Sequence, residues 1–229
     1  MKSIIIFLIT AVCFGCDQTT TRTVYAVDVT EEGTPEVTNE AVSASCPESL
    51  TFDGHITRYL VLSNTEYAEC FEYALEPENE YLSNHGERQA DIDRYCEQIS
   101  SFKHNDSIEY VGSHIWKPLC HELEYLGLDS TIATTIYVIS DLLEFNDWMD
   151  MYDKEVRNLL KHNPDEIRKK YSNQSEQLGY YNHIDLILVH EPSMDTKENE
   201  LYALIVEQIY KPILEEHGIR VSVEQHIAP

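Results

Sequence analysis

The run Thr134-Thr-Ile-Tyr-Val-Ile-Ser-Asp-Leu-Leu-Glu-Phe-Asn146 constrains the fold more than any other stretch. Four apolar side chains in succession, Ile136 to Ile139, lead directly into Ser140 and Asp141. Apolar residues without alternation predict a strand covered on both faces, as the strands of parallel sheets are. A second stretch near the front, Thr23-Val-Tyr-Ala-Val-Asp-Val-Thr30, has the same form. Each delivers a carboxylate and a hydroxyl at its carboxyl end, the end at which open α/β sheets bind ligands. The expectation is a doubly wound domain with Asp28 and Asp141 at one rim.

The remaining elements fit that frame. Glu31 to Ser45 is acidic, with Pro35 placed to open a helix. Asp53-Gly54 marks a turn, and Ile56 to Leu62 reads as a second strand. Cys70-Phe-Glu-Tyr-Ala-Leu75 alternates cleanly, which predicts an antiparallel edge strand. From Glu87 to Phe102, apolar Ile92, Tyr95, Cys96, Ile99 and Phe102 recur at helical spacing. A further helix carries Ile115, Trp116, Leu119, Cys120, Leu123 and Leu126, with Ser113 as its cap and Gly127 at its end. Pro118 either kinks its first turns or marks its true start. After the central strand, helix is expected from about Phe145 to Tyr171, broken near Asn163-Pro164. Ile184 to Val189 is another buried strand, Asp195 opens a helix reaching Ile213, and Ile219 to Val223 is the last strand. The fold class is therefore α/β: six strands, mostly parallel, one antiparallel edge strand, helices on both faces. Residues 22–226 read as a single domain, with no repeat and no linker.

The 229 residues carry a formal charge of −25. Such an excess excludes a nucleic-acid binder, because phosphate contacts need a basic surface. Direct adsorption to anionic lipid is disfavoured for the same reason. Residues 1–15 have a basic start, a short apolar run and small residues before Cys16, the form of an export signal. Gly15-Cys16 resembles a bacterial lipoprotein cleavage site, which implies lipidation of Cys16 and a tether over 16–21 on the periplasmic side of the envelope. Ordinary cleavage would instead release a soluble secreted protein. Four later cysteines, Cys46, Cys70, Cys96 and Cys120, make an even number in an exported chain. They predict two disulfides with three possible connectivities, or else buried free thiols.

The order of elements, with an early hairpin edge and acid-tipped first and fourth strands, resembles the von Willebrand factor type A fold over roughly residues 22–224. In that family the first-strand motif is Asp-x-Ser-x-Ser, and here it reads Asp28-Val-Thr30-Glu31-Glu32. The family's middle threonine corresponds to Ser113, and its later aspartate to Asp141 after Ser140, with Leu142 in place of a glycine. The resemblance implies a divalent-cation site built from Asp28, Thr30, Ser113 and Asp141, with Glu32 and Ser140 as possible additions. It also implies a non-enzymatic protein-binding role in which an acidic side chain of the partner completes the metal shell. Magnesium suits such oxygen donors, with calcium or manganese as alternatives. The competing reading is that these side chains only cap helices and loop ends.

An enzyme is the main rival by chemistry. Asp28 ending a strand also resembles the nucleophile of haloacid-dehalogenase-like phosphatases. Thr30 stands where that family has its general acid, and no lysine with paired acids follows at a strand end. His121-Glu122 lacks the second histidine of a zinc motif, because residue 125 is tyrosine. No Gly-rich phosphate loop and no Gly-x-Ser-x-Gly elbow is present.

Overall fold

The computed structural model describes residues 18–29, 42, 45–62, 70–101 and 112–227. Six strands form one sheet: β1 (Thr20–Val27), β2 (Gly54–Val61), β3 (Cys70–Leu75), β4 (Ala133–Ile139), β5 (Ile184–Val189) and β6 (Arg220–Glu224). Their order across the sheet is β3-β2-β1-β4-β5-β6, with only the β2/β3 pair antiparallel. This is the doubly wound α/β class expected from the two buried apolar runs. The helices are α1 (His85–Ile99), α2 (Trp116–Gly127), α3 (Lys154–His162), α4 (Pro164–Gln174), α5 (Thr196–Ile205) and α6 (Lys211–Glu216), with a π-helical turn at Val206–Tyr210 joining the last two.

Each face of the sheet has its own core, as the two-fold alternation of strand side chains requires. On one face Val24, Ala26, Leu60, Ile136, Val138, Leu186 and Leu188 pack with α2, α4, α5, the π turn and α6. On the other, Tyr25, Val27, Tyr59, Val61 and Ile139 pack with Val42 and with Ile92, Tyr95 and Ile99 of α1. The helical spacing read from the sequence of α1 is thus the face it buries. Asn84 caps its start by accepting from Gly86 N at 2.9 Å. Arg88, 1% exposed, donates to the carbonyls of Thr51, Asp53 and Glu76, each at 2.7 Å, and so ties the turns flanking β2 and β3 to this helix.

α2 starts at Trp116, so Pro118 lies in its first turn, where the backbone N–H has no intrahelical partner to lose. No kink follows from it. Trp116 is fully buried, with its ring edge-on to Tyr171 and Tyr210 at centroid separations of 5.2 and 4.7 Å. A bidentate pair between Arg58 of β2 and Glu122 of α2, at 2.6 and 3.1 Å, holds the helix over the sheet.

One expectation needs correction. Residues 145–153 are not helical. Phe145 pairs antiparallel with Ser113 and with Asp150. Asn146 Oδ1 accepts from the N–H groups of Trp148 and Met149 at 3.2 and 3.1 Å, and Asp150 Oδ1 from those of Tyr152 and Asp153 at 2.8 and 3.2 Å. Those side chains satisfy the backbone locally and outcompete a helix. The helix begins only at Lys154, capped by Asp153. Arg168 of α4 has a role of its own beside the π turn. Pro212 has no N–H to offer the carbonyl of Gln208, four residues before it. Arg168 Nε donates to that carbonyl at 2.6 Å, which fills the gap beside the π turn.

Residues 1–17 and 30–32 lie outside the described residues, so the export signal, Cys16, Thr30 and Glu32 have no structural account. Among the described residues no helix is long and apolar enough to cross a membrane.

Candidate functional site

The rim at the carboxyl ends of the parallel strands brings together several of the side chains singled out in the sequence. β1 and β4 are neighbours in register, Val27 opposite Ile139, so the chain positions that follow, Asp28 and Ser140, are adjacent. Asp28 N donates to Ile139 O at 2.9 Å, which continues the ladder one residue past the strand. The chain leaves β1 toward β2 on one side, while β4 lies on the other. Asp28 therefore sits at the point where strand order reverses, where α/β sheets open a crevice.

Asp28 is 1% exposed, and its Oδ2 accepts two hydroxyl hydrogen bonds, from Ser113 at 2.9 Å and from Ser140 at 3.1 Å. Ser113 is far from Asp28 in sequence and arrives from the loop before α2. Its position depends on Gly112, whose φ of +83° favours glycine, and whose Cβ, if it had one, would meet Phe145 O at 2.5 Å. The mutual backbone bonds of Ser113 and Phe145, both 3.0 Å, then lock the loop. Ser113 does not cap α2, contrary to the expectation, because its hydroxyl is committed to Asp28.

Ser140 Oγ also accepts from Leu142 N at 3.0 Å, and Asp141 Oδ1 accepts from Leu143 N at 2.8 Å. Between them Leu142 adopts φ +63°, an αL conformation that costs a branched side chain about 1–2 kcal/mol. Leu142 is fully buried, and that burial holds it there. A backbone outlier held in place by its surroundings is a recurring feature of functional rims. Asp141 thus follows Ser140 at the same end of the sheet as Asp28. Tyr202 of α5 lies within electrostatic range of it, and its hydroxyl is kept protonated by burial first and by Asp141 second.

The cap of α2 comes from Glu144, a residue the sequence reading passed over. Glu144 is fully buried and accepts from Ile115 N at 3.0 Å, from Trp116 N, and from Asn146 Nδ2. Burial pushes its carboxyl up from 4.5 to about 7, against those three N–H donors, and the nearby Asp28 adds to the rise. The available signal was an acidic residue inside an otherwise apolar stretch, Leu142-Leu-Glu-Phe145.

His190 lies across β4 from Asp28, because Val189 pairs with Ile139. Its ring stacks on Tyr202 at 3.8 Å, and its Nε2 is 3.2 Å from Asn199 Oδ1. His114 is half-buried, its pKa lowered by burial, and His121 is exposed. The rim gathers one buried carboxylate and two hydroxyls, Asp28, Ser113 and Ser140, all hard oxygen donors, and Asp141 follows Ser140 at the same end of the sheet. Such donors suit magnesium, manganese or calcium rather than a thiophilic metal. Among the described residues no three His, Cys, Asp or Glu side chains stand close enough to hold a metal ion by themselves. An ion here would lean on the hydroxyls as well as on Asp28 and Asp141.

Cys120 lies in the core of one face of the sheet, Cys46 and Cys96 both pack against the core of the other, and Cys70 is exposed on β3. Cys46, Cys70, Cys96 and Cys120 are all thiols in this structure. Compared with known proteins, the chain matches no family model and no curated sequence.

Proposed function

We propose that this chain is an exported, lipid-anchored module that binds a protein partner through a divalent cation held at the carboxyl rim of its sheet, in the manner of a von Willebrand factor type A-like domain. One observation carries the reading. Two hydroxyls from distant loops, Ser113 and Ser140, converge on one oxygen of the buried Asp28 at the reversal point of the sheet. The antiparallel edge strand β3 in an otherwise parallel six-stranded sheet is compatible with that reading. Asp28, Ser113, Ser140 and Asp141 would hold the ion, and Thr30 would join them. The ion would supply positive charge for an acidic side chain of the partner, in a protein whose net charge of −25 otherwise repels acids.

Calorimetric titration of magnesium, manganese and calcium into the purified protein tests the reading. Saturable heat that disappears in Asp28→Asn is the expected result. A silent titration for all three ions removes it.

A second reading has its own support. Both hydroxyls already donate to Asp28, and Asp141 already accepts from Leu143 N, so the same groups would be satisfied without an ion. The rim is then a polar clamp joining β1, β4 and the loop before α2, and the domain acts as a structural component of an envelope assembly. Silent titrations together with a large loss of stability in Ser113→Ala would favour that alternative.

A further inference from the structure

We infer that Cys46 and Cys96 form a disulfide that staples the segment after β1 to α1, while Cys70 and Cys120 remain thiols. Of the three connectivities open to four cysteines, the geometry leaves one bridge. Cys46 lies beside Cys96, and both pack against the same buried cluster beneath α1. Their positions are fixed from both sides. Ser45, beside Cys46, shares a 2.7 Å hydrogen bond with the hydroxyl of Tyr25 on β1. Tyr95, beside Cys96, shares one of 2.6 Å with Thr57 on β2. Two cysteines whose neighbours are anchored to adjacent strands do not meet by side-chain wandering alone.

Among the described residues the other two have no such partner. Cys120 is 1% exposed in the core of the opposite face, with Tyr210 close by. Cys70 lies on edge strand β3, beside Arg58, Glu72 and Glu122. On α2, Cys120 and Glu122 point to nearly opposite sides, since residues two apart are turned by about 200°. The side of α2 that reaches Cys70 is therefore the wrong one for Cys120.

The chemistry balances with an external disulfide as oxidant. A cysteine thiolate attacks RS–SR, one RS− leaves, and a mixed disulfide forms. The second cysteine then attacks its protein sulfur and expels the other RS−, so two thiols are oxidised and RS–SR is reduced to two RSH. Burial first, and Cys46 second, push the Cys96 thiol up to about 12. Its thiolate is scarce at neutral pH, so attack by Cys96 itself is slow.

The inference is independent of any cation at the rim, because its test reads sulfur alone. The full chain is incubated with oxidised glutathione at pH 8.5, unfolded, alkylated and cut with trypsin without reduction. Tryptic cleavage separates these four cysteines, into residues 23–58, 59–88, 95–103 and 104–154, and leaves Cys13 and Cys16 on residues 3–22. The expected product is 23–58 joined to 95–103, with Cys70 and Cys120 alkylated. Oxidation should raise Tm by roughly 5–10 °C over the dithiothreitol-treated protein. Cys46→Ser and Cys96→Ser should each abolish that difference, and Cys70→Ser should preserve it. Alkylation of both Cys46 and Cys96 after oxidation, or joining of either to any other cysteine of the chain, overturns the inference.

Discussion

Glu144 offers a sharp contest between burial and hydrogen bonding. Three N–H donors face its carboxylate, which favours ionisation, while complete burial opposes it. Burial wins here, and the carboxyl is raised from 4.5 to about 7. For an acid raised on folding, the native chain holds its proton after the unfolded chain has lost it. Glu144 therefore carries no penalty below pH 4.5, destabilises the fold increasingly as pH rises to about 7, and then carries a constant penalty. At about 1.4 kcal/mol for each pH unit, that window is worth about 3 kcal/mol. The test is Glu144→Gln, a neutral side chain of nearly the same shape, followed by urea unfolding from pH 4.5 to pH 8. Other titrating groups, including His55 and His114 with pKa values lowered by burial, are shared by both proteins and cancel in the difference. The variant should gain about 3 kcal/mol on the wild type between the two ends of the range. A difference that stays flat, or that moves toward the wild type as pH rises, would show that the N–H donors keep Glu144 ionised and that the argument has the balance backwards.

Two further outcomes follow from particular contacts. Arg168→Ala should cost about 1–2 kcal/mol, a hydrogen bond to a charged group discounted for its partial exposure. Amide exchange around Val206–Tyr210 should speed up with it, because the carbonyl of Gln208 loses its donor; unchanged exchange there would refute the role given to Arg168. Gly112→Ala should cost about 2–4 kcal/mol, combining αL strain with a clash against a backbone oxygen. A loss below about 0.5 kcal/mol in the same urea assay would mean the loop before α2 can shift freely.

Much of the fold was legible because local pattern and tertiary environment agree. The unbroken apolar runs of β1 and β4 are central strands, Cys70–Leu75 alternates because it is an antiparallel edge, and α1 buries the face its spacing marked. The parts that were not legible depend on partners distant in sequence. Nothing local tells that Ser113 donates to Asp28 rather than to its own helix, or that Glu144 takes over the cap. The helix expected from Phe145 failed because Asn146 and Asp150 satisfy their own neighbours' N–H groups, a choice that turns on a pairing with Ser113. Similarly, a proline at 212 warns that a carbonyl is released four residues earlier, yet only the packing of α4 against the π turn supplies the arginine. At the rim, Asp28, Ser140 and Asp141 were readable from the strand ends, whereas the αL turn at Leu142 was not, since leucine rarely adopts it.

The central claim is that the Asp28 rim holds a hard divalent ion. Counting free manganese by electron paramagnetic resonance during titration tests it most directly, because bound and free ions are separated without any activity. The wild-type chain should retain a single equivalent that magnesium displaces, and Asp28→Asn, checked for its fold by circular dichroism, should retain none. Manganese that stays wholly free beside the folded wild-type chain, or that binds the Asn variant equally well, would contradict the account.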